Sequence, residues 1–507
     1  MILDAQSLPQ DAVVQADICI AGAGAAGMTL ARELSGRGLQ ICLLEGGGFD
    51  PEENGQDPYR GEDVGAQQVA LHTCRLRYLG GTTNHWSGWC RRLLPEVFQA
   101  RSWIDEGWPF DYQTLAPYYE LAHRTCQIGA NEFDAQVVGD RAGLTTLPLD
   151  ATRVQSILYQ YSPPTRFGSH YRPDLENAAD ITTYLHANLV NIAMTQNGQA
   201  IESFDCVSAA GTPFQVVADT YVIAMGGIEN ARILLASNRQ ASKGVGNDND
   251  NVGRYFMEHP HYYFDFFVVL DDQWDVSFYN QFHRGLTVDG SFPNGLDTIY
   301  RAALALAPEV CVREQLPFMA CTIGSVYQPE MEPERTGAID VERIRTLMRL
   351  AENQGASLYK LELRAEQRPI PDSRITLLED LDGNGVPRVR MDWRIAEQDR
   401  ADAQRTMALI SAEMARNGLG RVFLTVDDDE RFLPTQIVGG CHHMGSTRMN
   451  QDPTKGVVDG NCRVHGLDNL YVAGSSVFPT GGYANPTLTL VALAHRLAEH
   501  LATEVMP

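Results

Sequence analysis

The sequence predicts a mixed fold, α/β plus α+β: a Rossmann-like nucleotide-binding domain assembled from discontinuous segments, with an inserted domain containing a mainly antiparallel sheet. Three observations predict it. A strand, a glycine-rich turn, a helix and a second strand follow one another between Asp17 and Leu44, the order of a β–α–β unit with the short loops that a parallel sheet needs. Apolar strands return far along the chain, at Thr220 to Met225 (followed by Gly226-Gly227) and at Asn469 to Ala473. Between about 258 and 435 the pattern changes to alternating β-like runs, which suit a sheet with one buried face.

Taken in order, Asp17 to Ala21 is a short apolar strand, Ala25 to about Arg37 a helix, and Leu39 to Leu44 the next strand. Residues 50 to 100 are irregular and glycine-rich. A helical run covers Glu229 to Ser237. Arg374 to Leu378 and Arg388 to Trp393 read as strands, and a helix follows near 396–417. An alanine- and leucine-rich helix at 486–502 closes the chain. The two ends are therefore alike in class and the middle differs. This divides the chain into a nucleotide-binding unit of residues 1–130, 200–257 and 436–507, and a substrate-binding unit of residues 131–199 and 258–435.

Composition narrows the function. Of 507 residues, 44% are hydrophobic and 21% charged, ordinary for a globular chain large enough to bury its own core. The formal net charge of −24 leaves no basic footprint for nucleic acid or an anionic membrane, and neutral substrates such as sugars meet no repulsion. Ten cysteines are scattered without a CxxC pair. They read as reduced buried thiols of a cytoplasmic protein, not as a metal or iron–sulfur set. The first fifteen residues show no secretory pattern, and no apolar run reaches the roughly 20 residues that span a bilayer. Oligomeric state does not follow from the sequence.

Gly22-Ala23-Gly24-Ala25-Ala26-Gly27 matches G-x-G-x-x-G between a strand and a helix, the context in which that motif holds a pyrophosphate. Gly22 permits the turn, Gly24 lets the backbone approach the ligand, and Gly27 lets helix and strand pack closely. Ala26 completes the loop. Glu45 ends the next strand, where its carboxylate can accept both hydroxyls of an adenosine ribose. FAD and NAD share this fingerprint, so the motif alone does not choose between them.

Later residues do choose. Gly80-Gly81-Thr82-Thr83-Asn84-His85-Trp86-Ser87-Gly88 resembles the flavin-contacting loop of the glucose–methanol–choline (GMC) oxidoreductases, and its Gly-Gly-x-x-x-His spacing is similar to that of their sugar-oxidising members, the pyranose 2-oxidases and glycoside 3-oxidases among them. Gly107-Trp108-Pro109-Phe110 to Tyr119, Gly226-Gly227-Ile228-Glu229, and Asn251 to Pro260 resemble further family stretches. The strongest resemblance is C-terminal: Cys441-His442-His443-Met444-Gly445, Asn469 to Gly474, and Ala484-Asn485-Pro486-Thr487. It covers both ends of the chain well and residues 130–200 and 258–435 poorly. The resemblance implies an FAD enzyme that oxidises a secondary alcohol of a sugar or glycoside to a ketone, with oxygen or another redox acceptor taking the electrons. It implies cofactor contacts from Gly81, Thr82, Asn84, His85, Trp86, Ser87, Gly226, Gly474, Pro486 and Thr487.

Alcohol oxidation removes a proton from oxygen and a hydride from carbon, so a base must reach the hydroxyl while the flavin faces the carbon. Histidine suits the base. The family pattern H-x-x-G selects His442, with Gly445 three residues on, and leaves His443 pointing elsewhere or lining the pocket. Asn485 can donate to the substrate oxygen as negative charge develops. Pro486 suits a helix start, whose N–H groups near Thr487 favour negative charge on a reduced flavin. His85 has two readings, a covalent 8α-histidyl anchor and a hydrogen-bonding residue beside a dissociable flavin, and the sequence leaves both open.

Other signals carry less. Asp380-Leu381-Asp382-Gly383-Asn384-Gly385 begins like a calcium loop, but its twelfth position is Met391, which offers no carboxylate; a hairpin turn at Asn384-Gly385 fits better. His259 and His261 are expected to be buried in a structural loop, and His261 to Phe264 to start a strand. Competing functions are an FAD dehydrogenase of non-sugar alcohols serving a quinone or cytochrome, and a flavin-binding subunit without turnover. An NAD-dependent dehydrogenase would leave the C-terminal histidine and asparagine motifs without purpose.

Overall fold

A computed structural model describes residues 1–66, 69–105, 107–163, 165–281, 283–285, 298–326, 341–424 and 437–505. Parts of the expected substrate unit, residues 286–297, 327–340 and 425–436, lie outside them. The glycine turn joins strand Ala12–Ala21 to helix Ala25–Leu34, and strand Ile41–Leu44 follows. These form the centre of an eight-stranded sheet. Its order across is Ile2–Asp4, Ile181–Leu185, Ile41–Leu44, Ala12–Ala21, Pro213–Ile223, Ile201–Ser208 and Ala187–Met194, with Leu470–Val472 added beside Pro213–Ile223. The pairs are parallel from the Ile2 strand to the Leu470 strand, and the last two are antiparallel. Strand Ile41–Leu44 is buried along its whole length, as expected where both faces of a parallel sheet are covered.

The second sheet has nine strands, all antiparallel. Its main path runs Gly420–Leu424, Pro260–Asp271, Ala356–Ala365, Met319–Ser325, Thr298–Leu306, Val154–Tyr161 and Trp89–Cys90. A small third sheet joins the hairpin Arg374–Leu381/Pro387–Trp393 to Gly61–Gly65. The hairpin turn lies at Asn384-Gly385 as the sequence suggests. Asp382 Oδ1 accepts the Asn384 and Val386 N–H groups, and Arg232 holds its Oδ2 at 2.7 Å.

The discontinuous architecture matches the expectation, but the boundaries between units do not follow the sheets. Residues 181–194, placed with the substrate unit, supply two strands to the nucleotide-side sheet. Trp89–Cys90, Gly61–Gly65 and Ile437–Gly439, placed on the nucleotide side, pair with strands of the inserted part. The reason is that backbone ladders join these segments, and a ladder leaves no mark on side-chain type. Helix Ala25–Leu34 also stops before Arg37, because Ser35 turns extended and Gly36 and Gly38 take φ of 78° and 80°.

Helix Pro486–Val505 brings the two ends of the chain together. Leu488, Val491, Ala494, Leu497, Ala498 and Leu501 are fully or almost fully buried along one face, at helical spacing. That helix packs between helices Ala25–Leu34 and Tyr112–Thr125. Hydrogen bonds add register: Thr489 with Tyr119 and His495 with Thr125, each at 2.9 Å. The start of this helix is thereby held over the glycine turn. Among the described residues no helix is long and apolar enough to cross a membrane. All ten cysteines are free thiols, nine of them buried.

Candidate active site

One elongated cavity of about 500 Å³ runs from Glu45 and the glycine turn, past the loop at 81–89, to His442 and Asn485. Each glycine of the turn has its own geometry. Gly22 takes φ 107°, and a Cβ there would lie 2.6 Å from Ala224 O. A Cβ on Gly27 would lie 1.9 Å from Gly22 O, so only glycine lets the helix approach. Gly24 is the converse: a Cβ would meet nothing within 4 Å, because the backbone there faces the cavity. Gly24 also caps its helix without any side-chain hydrogen bond, which leaves the N-terminal N–H groups free for an anion.

Glu45 lies at the same end. Its Oε2 accepts Ala23 N–H (3.2 Å) and its Oε1 accepts Gly47 N–H (3.0 Å). Burial pushes its carboxyl up despite these bonds. Arg77, which the sequence did not flag, lines the cavity beside it and packs on Gly46, where a Cβ would lie 2.0 Å from Nη2. Beneath the cavity, Arg75 and Arg232 clamp Glu229 at 2.8 and 3.0 Å. Those ion pairs anchor the Gly226-Gly227-Ile228-Glu229 segment. An uncapped helix end, a bare glycine and a ribose-side carboxylate in one groove fit a dinucleotide.

The loop after Gly80 forms the middle of the wall. Gly80 and Gly81 take φ of 94° and 54°, and a Cβ on Gly81 would come within 3.3 Å of Gly24 Cα. Arg166 ties the loop down by donating to Thr83 O (3.1 Å) and Trp86 O (2.8 Å). Gly81, Thr82, His85, Trp86 and Ser87 line the cavity, as do Gly22, Gly24, Ala26, Glu45, Gly226, Gly474, Pro486 and Thr487. Two expected contacts lie behind the wall. Asn84 donates to Leu79 O at 2.8 Å and braces the loop, and Gly27 sits under Gly22. Desolvation lowers the His85 imidazole, so its ring is neutral at neutral pH.

The far end is built by segment 440–449. Met444 and Met257 exchange backbone hydrogen bonds at 2.9 and 3.0 Å, which aligns His442 with Glu258 and His259. The His442 N–H donates to Glu258 Oε2 at 2.7 Å. The His442 Nε2 lies 2.9 Å from Asn485 Nδ2, and its Nδ1 lies 2.8 Å from His259 Nδ1. Burial, then the neighbouring His259, Arg364 and His443, hold the His442 imidazole well below its ordinary value. A neutral ring at neutral pH can accept a proton. Asn485 Oδ1 is buried without a protein partner, an amide poised for a ligand.

His443 points the other way. Its Nε2 lies 3.4 Å from Glu258 Oε1 and 3.9 Å from Cys74 Sγ. Burial opposes its charge, but the Cys74 and Glu258 contacts outweigh it and raise the imidazole. Cys74 is held far below the ordinary thiol range by Cys441 first, then by His443 and Arg75. The second sheet closes the chamber: His261 is paired across the ladder with Arg364, whose guanidinium lies 4.4 Å over the Trp89 ring and donates to Thr322.

Sequence reading thus placed His442 and Asn485 together, as found. It assigned His259 and His261 to a structural loop; both are buried, but they stand against His442 rather than apart from the site. The Glu258-His259-Pro260-His261 spacing was visible, and its partner 183 residues away was not. Cys74, Glu258 and Arg364 carried no signal.

Residues 369–494, spanning the hairpin of the third sheet and this histidine segment, match the model of the GMC oxidoreductase family. The match is to that family's C-terminal domain. Along nearly its whole length the chain matches proteins named as dehydrogenases and oxidases. It is similar to the fructose dehydrogenase large subunit of Gluconobacter japonicus, 24% identical over 97% of this chain and 98% of that one. It is similar to a C-glycoside 3-oxidase of Microbacterium trichothecenolyticum, 35% identical over 25% of this chain and 23% of that one. The fold is similar to pyridoxine 4-oxidase of Mesorbium loti, with TM-score 0.58, 18% identity and 96% and 98% coverage of this chain and that one.

Proposed function

We propose that this chain is a GMC oxidoreductase with FAD as its cofactor, and that it oxidises a secondary alcohol of a sugar or glycoside to a ketone with His442 as the base. The observation that carries the chemistry is the pairing of a neutral His442 imidazole with Asn485 at the end of a dinucleotide-sized cavity. His442 Nε2 takes the hydroxyl proton, and the Asn485 amide holds the oxygen as charge develops on it. Bound FAD supplies a two-electron acceptor for the hydride that leaves carbon. Gly22, Gly24 and Ala26 would hold its pyrophosphate, Glu45 its ribose, and Gly81 to Ser87, Gly226, Gly474, Pro486 and Thr487 the remainder. Trp89 of the antiparallel sheet lines the cavity, and behind it Arg364 stacks on the Trp89 ring and pairs across the ladder with His261.

Support for a sugar comes from the fructose dehydrogenase and the C-glycoside 3-oxidase among the relatives. The same two names, one a dehydrogenase and one an oxidase, leave the acceptor to experiment: peroxide release under air marks an oxidase, and its absence with dye reduction marks a dehydrogenase. Anaerobic mixing of the yellow holoenzyme with fructose, glucose, methyl glucosides, aryl C-glucosides and simple alcohols tests the substrate. Bleaching by sugars or glycosides is expected, and bleaching by aliphatic or aromatic alcohols alone overturns the sugar reading. Acid precipitation separates the two readings of His85: colour in the pellet means a covalent flavin, colour in the supernatant a dissociable one.

A further inference from the structure

We propose that His259 is a positioning residue that selects the tautomer of His442 and so aims its basic lone pair at Asn485 and the cavity. The inference rests on the reading of His442 as the base. A neutral imidazole carries one proton, and only the other nitrogen can act as a base. The contact between His442 Nδ1 and His259 Nδ1, at 2.8 Å, has room for one hydrogen. The contact between His442 Nε2 and Asn485 spans 2.9 Å.

Two arrangements satisfy both contacts. In the first, the Asn485 amide N–H donates to His442 Nε2, so His442 is protonated at Nδ1 and donates to His259 Nδ1. In the second, His259 donates to His442 Nδ1, His442 carries its proton on Nε2, and the amide turns to accept it through Oδ1. Only the first leaves a lone pair on Nε2 to take a substrate proton. Asn485 cannot choose, since an amide serves equally as donor or acceptor, and its Oδ1 has no protein partner to pin it.

His259 can choose. Its ring is buried, with 1% of its surface exposed. Its Nδ1 is taken by His442, and its Nε2 faces Gly481 without a full hydrogen bond, where the Gly481 and Gly482 backbone favours a proton on the ring. A proton on Nε2 leaves Nδ1 as acceptor, which imposes the first arrangement on His442. The ring is also fixed in place. The His259 backbone N–H donates to Glu258 Oε2 at 3.3 Å, the same oxygen that accepts the His442 backbone N–H at 2.7 Å. A Cβ on Gly481 would lie 3.2 Å from His259 Nε2, so a glycine there keeps the backbone close.

The direct test reads the tautomer without turnover. In protein labelled with ¹⁵N-histidine, the His442 resonances are assigned by their loss in H442A. The expected result is a protonated Nδ1 and an unprotonated Nε2 in the wild type, with the proton redistributed toward Nε2 in H259L. A wild-type His442 protonated on Nε2 overturns the proposal. The kinetic test uses the FAD-loaded enzyme and the sugar that bleaches it. H259L is expected to lower kcat on the order of 10²-fold with little change in KM, within the usual reach of acid–base catalysis. H259N, whose amide can accept or donate at that place, is expected to recover part of the rate, between H259L and wild type. Equal loss in H259N and H259L assigns His259 to packing and overturns the proposal, as does an H259L enzyme with unchanged kcat. If H259L does not load FAD, H259N decides alone: a loss on the order of 10²-fold overturns the proposal, and a retained rate supports it, on the same acid–base scale. If H442A turns over normally, the base reading fails while the tautomer measurement still stands on its own.

Discussion

His442 and His443 are neighbours in sequence and opposites in setting. His442 meets His259 and Asn485, with Arg364 and His261 close by, and burial keeps it neutral. His443 meets Cys74 and a carboxylate oxygen of Glu258, which raise its imidazole against the effect of burial. Glu258 serves both by using different atoms: Oε2 accepts the backbone N–H of His442, and Oε1 faces the His443 ring. Successive side chains in an extended segment point to opposite sides. A shift of one residue would therefore exchange the lowered imidazole for the raised one, and the Met257–Met444 backbone pair sets that register.

The largest expected effect separates the two rings outright. H442A should lower kcat on the order of 10³-fold, the scale of losing a general base, whereas H443N should lower it less than about 10-fold, because its ring lies outside proton transfer. Equal losses in the two variants, measured on fully loaded enzyme, would erase the distinction. N485A should follow, with kcat down on the order of 10²-fold and KM changed little, as expected for a donor used mainly in the transition state.

A fourth variant attacks the register. A Cβ at Gly227 would lie 2.3 Å from His443 O and 2.6 Å from its Cβ. G227A should therefore cost about 1–3 kcal/mol of stability by overpacking, seen as a lower Tm, and should displace both histidines together. An unchanged Tm would show that the segment yields freely.

The smallest effect is in pH. The groups facing His442 are His259, His261, Arg364, His443 and Asn485, with Glu258 on its backbone. Since the folded imidazole lies well below its ordinary value, kcat/KM should stay level through neutrality and fall only at pH below about 6.5, the unperturbed value. The sign for stability is the same. His259 and His123 are depressed to about 4 by burial. The unfolded chain therefore binds more protons between about pH 4 and 6.5, and stability is full above that window and lost as pH falls through it. An acid limb in kcat/KM above neutrality would contradict the neutral setting of His442.

Much of the site was legible because its signals are local. The glycine turn, Glu45, the loop at 81–87, His442 and Asn485 each announce themselves within a few residues, since a turn, a helix start and a family motif are short-range objects. His259 and His261 were just as visible and were read as packing, because nothing near them in sequence supplies a partner. Cys74 and Arg364 are commonplace alone and acquire a role only through groups hundreds of residues away.

By itself the sequence determined that a nucleotide-binding turn opens a parallel sheet, that the chain's two ends share a class, and that an imidazole and an amide near the C-terminus belong to one chemistry. Tertiary structure decided which strands join which sheet, which of two adjacent imidazoles is neutral, and which nitrogen of that ring faces its partner. Those choices depend on distances between groups far apart along the chain, where burial strengthens every charge and hydrogen bond, and no local pattern of residue types encodes them.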